Sequence, residues 1–189
     1  AATELNGQGF TISGVALGRQ TAGIGLIGYA AGTQIHDLNV TTAAVSGNVI
    51  NGTSYVGALV GSLANASVSN ISVSVQGNIT GTTGVGGIIG YGFGAYGTST
   101  LSNLTVSTLP TPSYINGLSS NYVGGIAGYL TYTNANNLNS SASLNVSTSS
   151  YVGGLIGYFS AGSIGHPSGR GIGAGDVRRL FAQEIVESR

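Results

Sequence analysis

The sequence predicts an all-β protein, a parallel β-solenoid built from about five repeats, with a short helical tail at its C-terminal end. Three observations predict it. A glycine-rich phrase recurs five times, a strand-like alternating pattern lies between its copies, and the body of the chain carries almost no charge. The first two observations set the architecture, and the third limits the classes of function.

The recurring phrase is eight residues long, with apolar residues between glycines. Its copies read AGIGLIGY, YVGALVGS, GVGGIIGY, YVGGIAGY and YVGGLIGY. Its closing glycines are 33, 29, 38 and 29 residues apart, at Gly28, Gly61, Gly90, Gly128 and Gly157. A unit of about 30 residues cannot bury a core by itself, whereas stacked units share one. The spacing therefore predicts a solenoid.

Tyrosines mark the ends of the phrase. Stacked coils place like residues above one another at about 4.8 Å, which predicts aromatic columns and comparable Asn ladders at the turns. The phrase is apolar or Gly throughout, which predicts a strand covered on both faces, and its glycines permit close backbone approach or a positive φ. The predicted stacking motif consists of the five closing glycines and seven of the ten tyrosines. These tyrosines are Tyr29, Tyr55, Tyr91, Tyr122, Tyr129, Tyr151 and Tyr158.

A second pattern alternates apolar and small polar residues between the copies of the phrase. It reads IHDLNVT at 35–41, VSNISVS at 68–74, LSNLTVS at 101–107 and, more loosely, ASLNVS at 142–147. Alternation with a period of two indicates half-buried strands. A short third segment follows in the early units, as GNVI at 47–50 and GNIT at 77–80. Each unit is therefore predicted to hold two or three strands separated by turns.

Two segments resemble known families. The stretch Leu5–Val15, with its Leu-Asn-Gly-Gln-Gly turn, resembles the opening coil of right-handed β-helix proteins. The glycine phrase resembles the GLUG motif of bacterial surface proteins and large adhesins, although Ile24 replaces a Gly in the first copy. The resemblance covers Leu5 to Tyr158. It implies a right-handed parallel β-helix and an extracellular, adhesive role, and it specifies no activity.

The charge distribution limits the partners of the chain. Charged residues make up 5% of the sequence, and residues 1–168 contain only Glu4, Arg19 and Asp37. Such a body cannot grip nucleic acid phosphates or an acidic membrane surface electrostatically, and near-zero net charge favours self-association. No apolar run approaches the roughly 18 residues of a membrane-spanning helix. We expect no nucleic acid partner and no membrane insertion, and from composition we infer secretion to the cell surface.

The residues needed for catalysis are sparse, so we expect no enzyme, no cofactor and no metal. Glu4 and Asp37 are 33 residues apart, and Arg19 is the one basic candidate for a lyase in the body. His36 stands beside Asp37, but neighbours in a strand point to opposite faces, which favours a surface or turn role. Residues 23–28 match a dinucleotide fingerprint without the helix and the acidic residue that it needs.

Eight Asn-x-Ser/Thr sequons occur in the chain. In a secreted archaeal or eukaryotic protein some of them could carry glycans. We favour turn ladders, because a composition rich in Asn, Ser and Thr produces many sequons by chance. The sequons are at Asn39, Asn51, Asn65, Asn70, Asn78, Asn103, Asn139 and Asn145.

The tail differs from the body in composition. We predict a solenoid domain over residues 1–165 and, over 166–189, a linker with an amphipathic helix that Asp176 caps. The apolar stripe of this helix either covers the open end of the solenoid or docks on a neighbouring subunit or secretion partner, and the sequence leaves both open. The stripe comprises Val177, Leu180, Phe181 and Ile185.

For function, the leading hypothesis is a structural or adhesive module. In one form of it the chain is a filament subunit that stacks head to tail, with a host surface or glycan as a further partner. The alternative is an ice-binding or carbohydrate-binding solenoid. Its candidate rows are the Ser, Thr and Asn side chains near Asn39, Asn103 and Asn145. A degraded polysaccharide lyase is a third reading, and the carboxylate count argues against it.

Overall fold

The computed structural model describes residues 3–95, 99–109, 113–117, 122–146, 151–165 and 168–169. Within them the chain is an all-β parallel β-solenoid of about five coils, so this part of the predicted fold class is confirmed. The four residues of the predicted helical stripe, Val177, Leu180, Phe181 and Ile185, lie outside the described residues. In the described part of the chain, no helix has the length and apolarity to cross a bilayer.

Each coil follows the same order, with one long strand, two short strands and a closing strand. The first coil has a divided long strand and comprises β1 Thr3–Asn6, β2 Thr11–Val15, β3 Leu17–Gly18, β4 Ala22–Ile24 and β5 Ile27–Ala31. The second comprises β6 Thr33–Thr42, β7 Asn48–Asn51, β8 Ser54–Val56 and β9 Val60–Ala64. The third comprises β10 Ser67–Val75, β11 Asn78–Gly81, β12 Thr83–Gly86 and β13 Ile89–Phe93.

The fourth and fifth coils share a strand. They comprise β14 Ser99–Thr108, β15 Ile115–Gly117, β16 Tyr122–Gly124, β17 Ala127–Ser141, β18 Leu144–Val146, β19 Tyr151–Gly153 and β20 Ile156–Gly165. The strand β17 closes the fourth coil and opens the fifth without a break. Beyond residue 165, the short strand β21, Ser168–Gly169, pairs with Asn139 and Ser140 of β17. The described residues of the predicted linker, 168–169, therefore add a short strand to the sheet that contains the long strands.

Three parallel sheets form the sides of the solenoid. The first contains β3, β7, β11, β15 and β18, and the second contains β4, β8, β12, β16 and β19. The remaining eleven strands form one sheet that covers two sides, because β17 and β20 run through the corner between them. Every strand therefore uses the neighbouring coils to satisfy its backbone hydrogen bonds, which is why one unit cannot fold alone.

The fourth copy of the alternating pattern is not where the sequence placed it. Leu138 of β17 pairs with Leu104, and Asn139 pairs with Thr105, so residues 135–141 are the true counterpart of 101–107. The segment proposed for this role, 142–147, contains β18, which pairs with β15 as the third segment of its coil. The prediction was wrong because Leu-Asn-Val-Ser repeats the letters of the pattern, whereas the true copy has Asn at its polar positions.

Each long strand turns at one Asp or Asn in the left-handed conformation. The φ angles are 55° at Asp37, 53° at Asn70, 53° at Asn103 and 51° at Asn137, and these residue types tolerate that region best. Each Asn side chain donates its amide to the residue one coil earlier, at 2.8 Å in all three pairs. The predicted Asn ladder is therefore confirmed, and two sequon residues, Asn70 and Asn103, belong to it.

The core consists of columns of apolar side chains that run along the solenoid axis. Val73 pairs with Val40 and Val106 in adjacent coils, and all three are buried. Leu104 lies in the same way between Ile71 and Leu138. Since each side chain covers the one above it, a coil inside the stack is buried by both neighbours and a terminal coil by only one.

Candidate functional site

The glycine phrase forms a corner of the solenoid. In the second coil it runs through β8, bends at Ala58 and Leu59, and continues as β9, with each strand in a different sheet. The other copies follow the same course. The prediction of a single strand covered on both faces was therefore wrong. The phrase is apolar throughout because the bend residues point into the core, where Ala58 and Leu59 are fully buried.

From the second coil onward, the closing glycine of each phrase lies against the backbone of the preceding coil. A Cβ on Gly90 would overlap the carbonyl carbon of Tyr55 and the amide nitrogen of Val56. A Cβ on Gly157 would lie 2.6 Å from the amide nitrogen of Val123. These glycines have no positive φ, so close backbone approach is the reason that no side chain fits there.

The tyrosines at the ends of the phrase lie in two adjoining columns on the outer surface. The closing tyrosines Tyr91, Tyr129 and Tyr158 stack with ring centroids 5.1 and 4.9 Å apart. The opening tyrosines Tyr122 and Tyr151 stack at 5.4 Å, and Tyr122 also meets the edge of Tyr129 at 5.0 Å. Burial raises the pKa of the Tyr91 and Tyr129 hydroxyls above the ordinary value, and neighbouring tyrosines add to the shift.

The closing column is interrupted in the second coil. The closing strands pair Tyr29 with Ser62 and Ser62 with Tyr91, so a serine occupies the place of a ring. Tyr29 stands beyond the gap with 67% of its surface exposed, and Tyr55 leans on Tyr91 with centroids 4.8 Å apart. A cavity of about 350 Å³ opens at this gap, lined by Tyr29, Tyr55, Ser62, Leu63, Ala64, Tyr91 and Phe93. We call it the tyrosine gap.

The first coil leaves core-type side chains uncovered. Leu5 pairs with Ile35 and is 40% exposed where Ile35 is fully buried. Ile12 pairs with Val40 and is 43% exposed, against 1% for Val40, while Phe10 nearby is 72% exposed. The strands β1, β3, β4 and β5 are also the outermost members of their sheets on this side in the described chain. This end of the solenoid is therefore an apolar surface with an unpaired strand edge.

No known protein family, curated protein or solved structure matches this chain. The resemblance to the GLUG motif consequently has no support beyond the residues that suggested it.

Two of the three charged residues of the body, Glu4 and Asp37, are 33 positions apart in the sequence but meet on the long-strand side. The left-handed φ of Asp37 breaks the strand alternation, so His36 and Asp37 both face outward. The imidazole Nδ1 of His36 lies 2.7 Å from Oδ2 of Asp37, and its Nε2 lies 2.8 Å from Oε1 of Glu4. Two expectations from the sequence are therefore wrong. His36 and Asp37 do not point to opposite faces, and Glu4 is not remote from them, because one coil of chain brings it beside His36.

The carboxylates of Glu4 and Asp37 bond to opposite nitrogens of His36, so the three side chains form one hydrogen-bonded chain. Among the described residues, no group of His, Asp and Glu side chains has the arrangement to hold a metal ion. Asp37 also accepts the amide of Asn70 at 2.8 Å, so the cluster terminates the Asn ladder at its N-terminal end.

Residues 23–28, which match the dinucleotide fingerprint, lie in β4, the following bend and β5. The fingerprint needs a helix after its glycines, because the helix N-terminus receives the pyrophosphate. A strand follows here. The tyrosine gap, by contrast, was missed by the sequence reasoning, although the final serine of YVGALVGS is its signal.

The His36 cluster predicts a pH dependence of stability. The hydrogen bond to Asp37, and then that to Glu4, raise the pKa of His36 above its ordinary 6.5. Because the folded-state pKa exceeds the unfolded value, the stabilisation is complete below about pH 6.5 and is lost as the pH rises through the folded value. We expect unfolding midpoints, measured by circular dichroism from about pH 5 to about pH 9, to fall across that window.

The matched control for the pH series is His36→Gln, which keeps a polar side chain but cannot titrate. The hydrogen bond from His36 also lowers the pKa of Asp37. That carboxyl titrates below the measured window, so the difference between the two proteins within the window isolates His36. A wild-type protein and a variant with parallel pH profiles would contradict the assignment.

Proposed function

We propose that the chain is a non-catalytic structural or adhesive module of the cell exterior, whose copies stack end to end through their terminal coils. As part of this proposal the solenoid has the right-handed sense of the β-helices it resembles, since about 98% of parallel crossover connections are right-handed. The GLUG-type adhesin assignment and the secreted location belong to the same proposal.

The observation that carries it is the uncovered first coil. Leu5 of this coil is in register with Ile35 of the second coil, and Ile35 is fully buried because it has a coil on either side. A further coil placed on the free end would bury Leu5 in the same way. At the opposite end of the described strands, β18 and β19 are the outermost members of their sheets. A second copy presents that end, and a head-to-tail contact of this kind grows into a filament when it does not close.

Charge does not oppose this contact. The described residues hold three charged side chains, and two of them, Glu4 and Asp37, are hydrogen-bonded to His36. Copies therefore approach with little electrostatic repulsion, and buried apolar area supplies the driving force. In this proposal the His36 cluster is a cap of the Asn ladder and has no catalytic task.

The test is a double substitution on the first coil, Leu5→Lys with Ile12→Lys. We expect the wild-type protein to form oligomers or filaments with rising concentration, seen by sedimentation velocity and negative-stain microscopy. The variant should remain monomeric, because two buried lysines without partners cost more than the contact gains.

Val45→Lys is the matched control. Val45 is 49% exposed and lies in the second coil, in the loop after β6. The substitution introduces the same side chain at a comparable exposure outside the first coil and should leave assembly intact. Wild-type protein that stays monodisperse at high concentration, or a double variant that assembles normally, would rule out end-to-end stacking.

The ice-binding alternative depends on regular threonine columns. The outward column that begins at Asn39 continues as Ser72, Thr105 and Asn139, so its residue type changes at every coil. This mixture disfavours a lattice match, and we expect no thermal hysteresis. The carbohydrate-binding alternative has better support, because the tyrosine gap offers aromatic surface beside hydroxyl groups.

A further inference from the structure

The tyrosine gap is an uncharged surface cavity with one strongly exposed aromatic wall, Tyr29. We propose that it binds a single pyranose ring of a neutral carbohydrate, which stacks on Tyr29 with Tyr55 and Phe93 beside it. This inference gives the proposed adhesive role a ligand and rests on that part of the proposed function, while it is independent of end-to-end stacking.

The spacing of the column sets the width of the gap. Tyr29 and Tyr91 are two strands apart, which corresponds to about 9.6 Å at the usual inter-strand spacing. Tyr55 leans on Tyr91 with ring centroids 4.8 Å apart and so covers the Tyr91 side of this space. The open part of the gap lies against Tyr29, whose surface is 67% exposed.

The floor and sides of the gap suit the chemistry of a sugar. Ser62 and Ala64 form a floor of small side chains, and Tyr55 and Phe93 add aromatic surface at the sides. A pyranose presents apolar C–H faces and a rim of hydroxyls. The Tyr29 ring would cover one C–H face, and the hydroxyls of Ser62 and the tyrosines can donate and accept hydrogen bonds at the rim.

The charge of the surroundings selects a neutral ligand. The seven residues that line the cavity carry no charge, and the charged side chains of the described chain, Glu4, Arg19 and Asp37, are not among them. A uronic acid, a phosphate or a nucleotide would lose its hydration without gaining an ionic partner. Neutral hexose rings lose little on entry.

The experiment titrates the full chain with neutral hexasaccharides of glucose, mannose and galactose units, with hexagalacturonate as the charged comparison. Because the chain has no Trp, the fluorescence of its ten tyrosines, three of which line the gap, can be followed without interference. Calorimetry gives an independent affinity. Two variants remove the site in opposite ways. Tyr29→Ala deletes one exposed wall, and Ser62→Tyr restores the missing ring and fills the gap.

We expect at least one neutral hexasaccharide to bind and the acidic one not to bind more tightly. Tyr29→Ala and Ser62→Tyr should each weaken binding by about tenfold or more. Tyr151→Ala, an equally simple truncation of an exposed tyrosine at the other end of the solenoid, should bind like the wild type. Circular dichroism checks that all variants keep the fold.

Several results would overturn the inference. They are no binding of any neutral hexasaccharide at millimolar concentration, tighter binding of the acidic one, or unchanged binding by Ser62→Tyr. If Ser62→Tyr instead dissociates a wild-type oligomer that binds no sugar, the occupant is an aromatic side chain of a second copy. Sugar binding by a strictly monomeric protein would refute the stacking proposal alone, and filaments without sugar binding would refute this inference alone.

Discussion

Replacing Gly90 with Ala is expected to destabilise the solenoid by about 3 kcal/mol or more, although it adds one methyl group. The new Cβ would overlap backbone atoms of Tyr55 and Val56 in the preceding coil. Backbone cannot rotate away as a side chain can, so two coils must separate locally, and overpacking of this kind costs roughly 1–3 kcal/mol even where side chains absorb it. Against a total stability of about 5–15 kcal/mol this is a large fraction.

Gly18→Ala provides the matched comparison. Gly18 ends β3 with no atom within 4 Å of an added Cβ and no positive φ, so the same substitution meets open space. We expect its effect to stay within about 0.5 kcal/mol. Urea unfolding followed by circular dichroism measures both variants. Equal stability of Gly90→Ala and Gly18→Ala would show that the coils do not approach as closely as described.

The repeat period was enough to predict the stacking of coils. Closing glycines about 30 residues apart imply that like residues meet one coil apart, and Tyr91, Tyr129 and Tyr158 lie in one column. The course of the phrase was not predictable in the same way. A sequence distinguishes a continuous strand from a corner only where polar and apolar side chains alternate between the two faces. The glycines on either side of the bend have no side chains, so they give no such pattern.

The misplaced fourth copy of the alternating pattern has a related cause. The letters Leu-Asn-Val-Ser at 144–147 repeat those of the earlier copies, whereas the true copy at 135–141 has Asn at most of its polar positions. The true copy begins seven residues after Gly128, as residue 35 follows Gly28 and residue 68 follows Gly61, and its pairing with β14 identifies it. Pairing depends on the buried column of Leu104 and Leu138, which residue identity at the outer face does not reveal.

The candidate sites were less predictable than the fold, because they depend on which residues meet across coils. Glu4 and His36 are one coil apart in space, although 32 positions separate them in the chain. Ser62 is an unremarkable ending of one phrase until its neighbours along the column prove to be Tyr29 and Tyr91. A surface site on a solenoid can therefore be recognised once the register is known, because its residue differs from the others in the same column.

A second large effect is expected where a coil is covered on both sides. Leu101 and Leu5 belong to one column, which runs through Ile35 and Val68 between them. Leu101 is 1% exposed, so Leu101→Ala leaves a cavity and should cost about 2–5 kcal/mol. Leu5 is covered from one side only, and Leu5→Ala should cost less than about 1 kcal/mol, because part of its surface is in water already.

The comparison of these two leucines tests the shared core directly, since residue type, column and substitution are the same and only the position along the axis differs. Unfolding must be measured at low protein concentration, where end-to-end contacts that cover Leu5 are absent. If the two substitutions cost the same at low concentration, each coil would be burying its own side chains, and the stack would not be the source of stability. If the cost of Leu5→Ala rises with protein concentration while that of Leu101→Ala does not, the first coil is being buried by a second copy, as the stacking proposal requires.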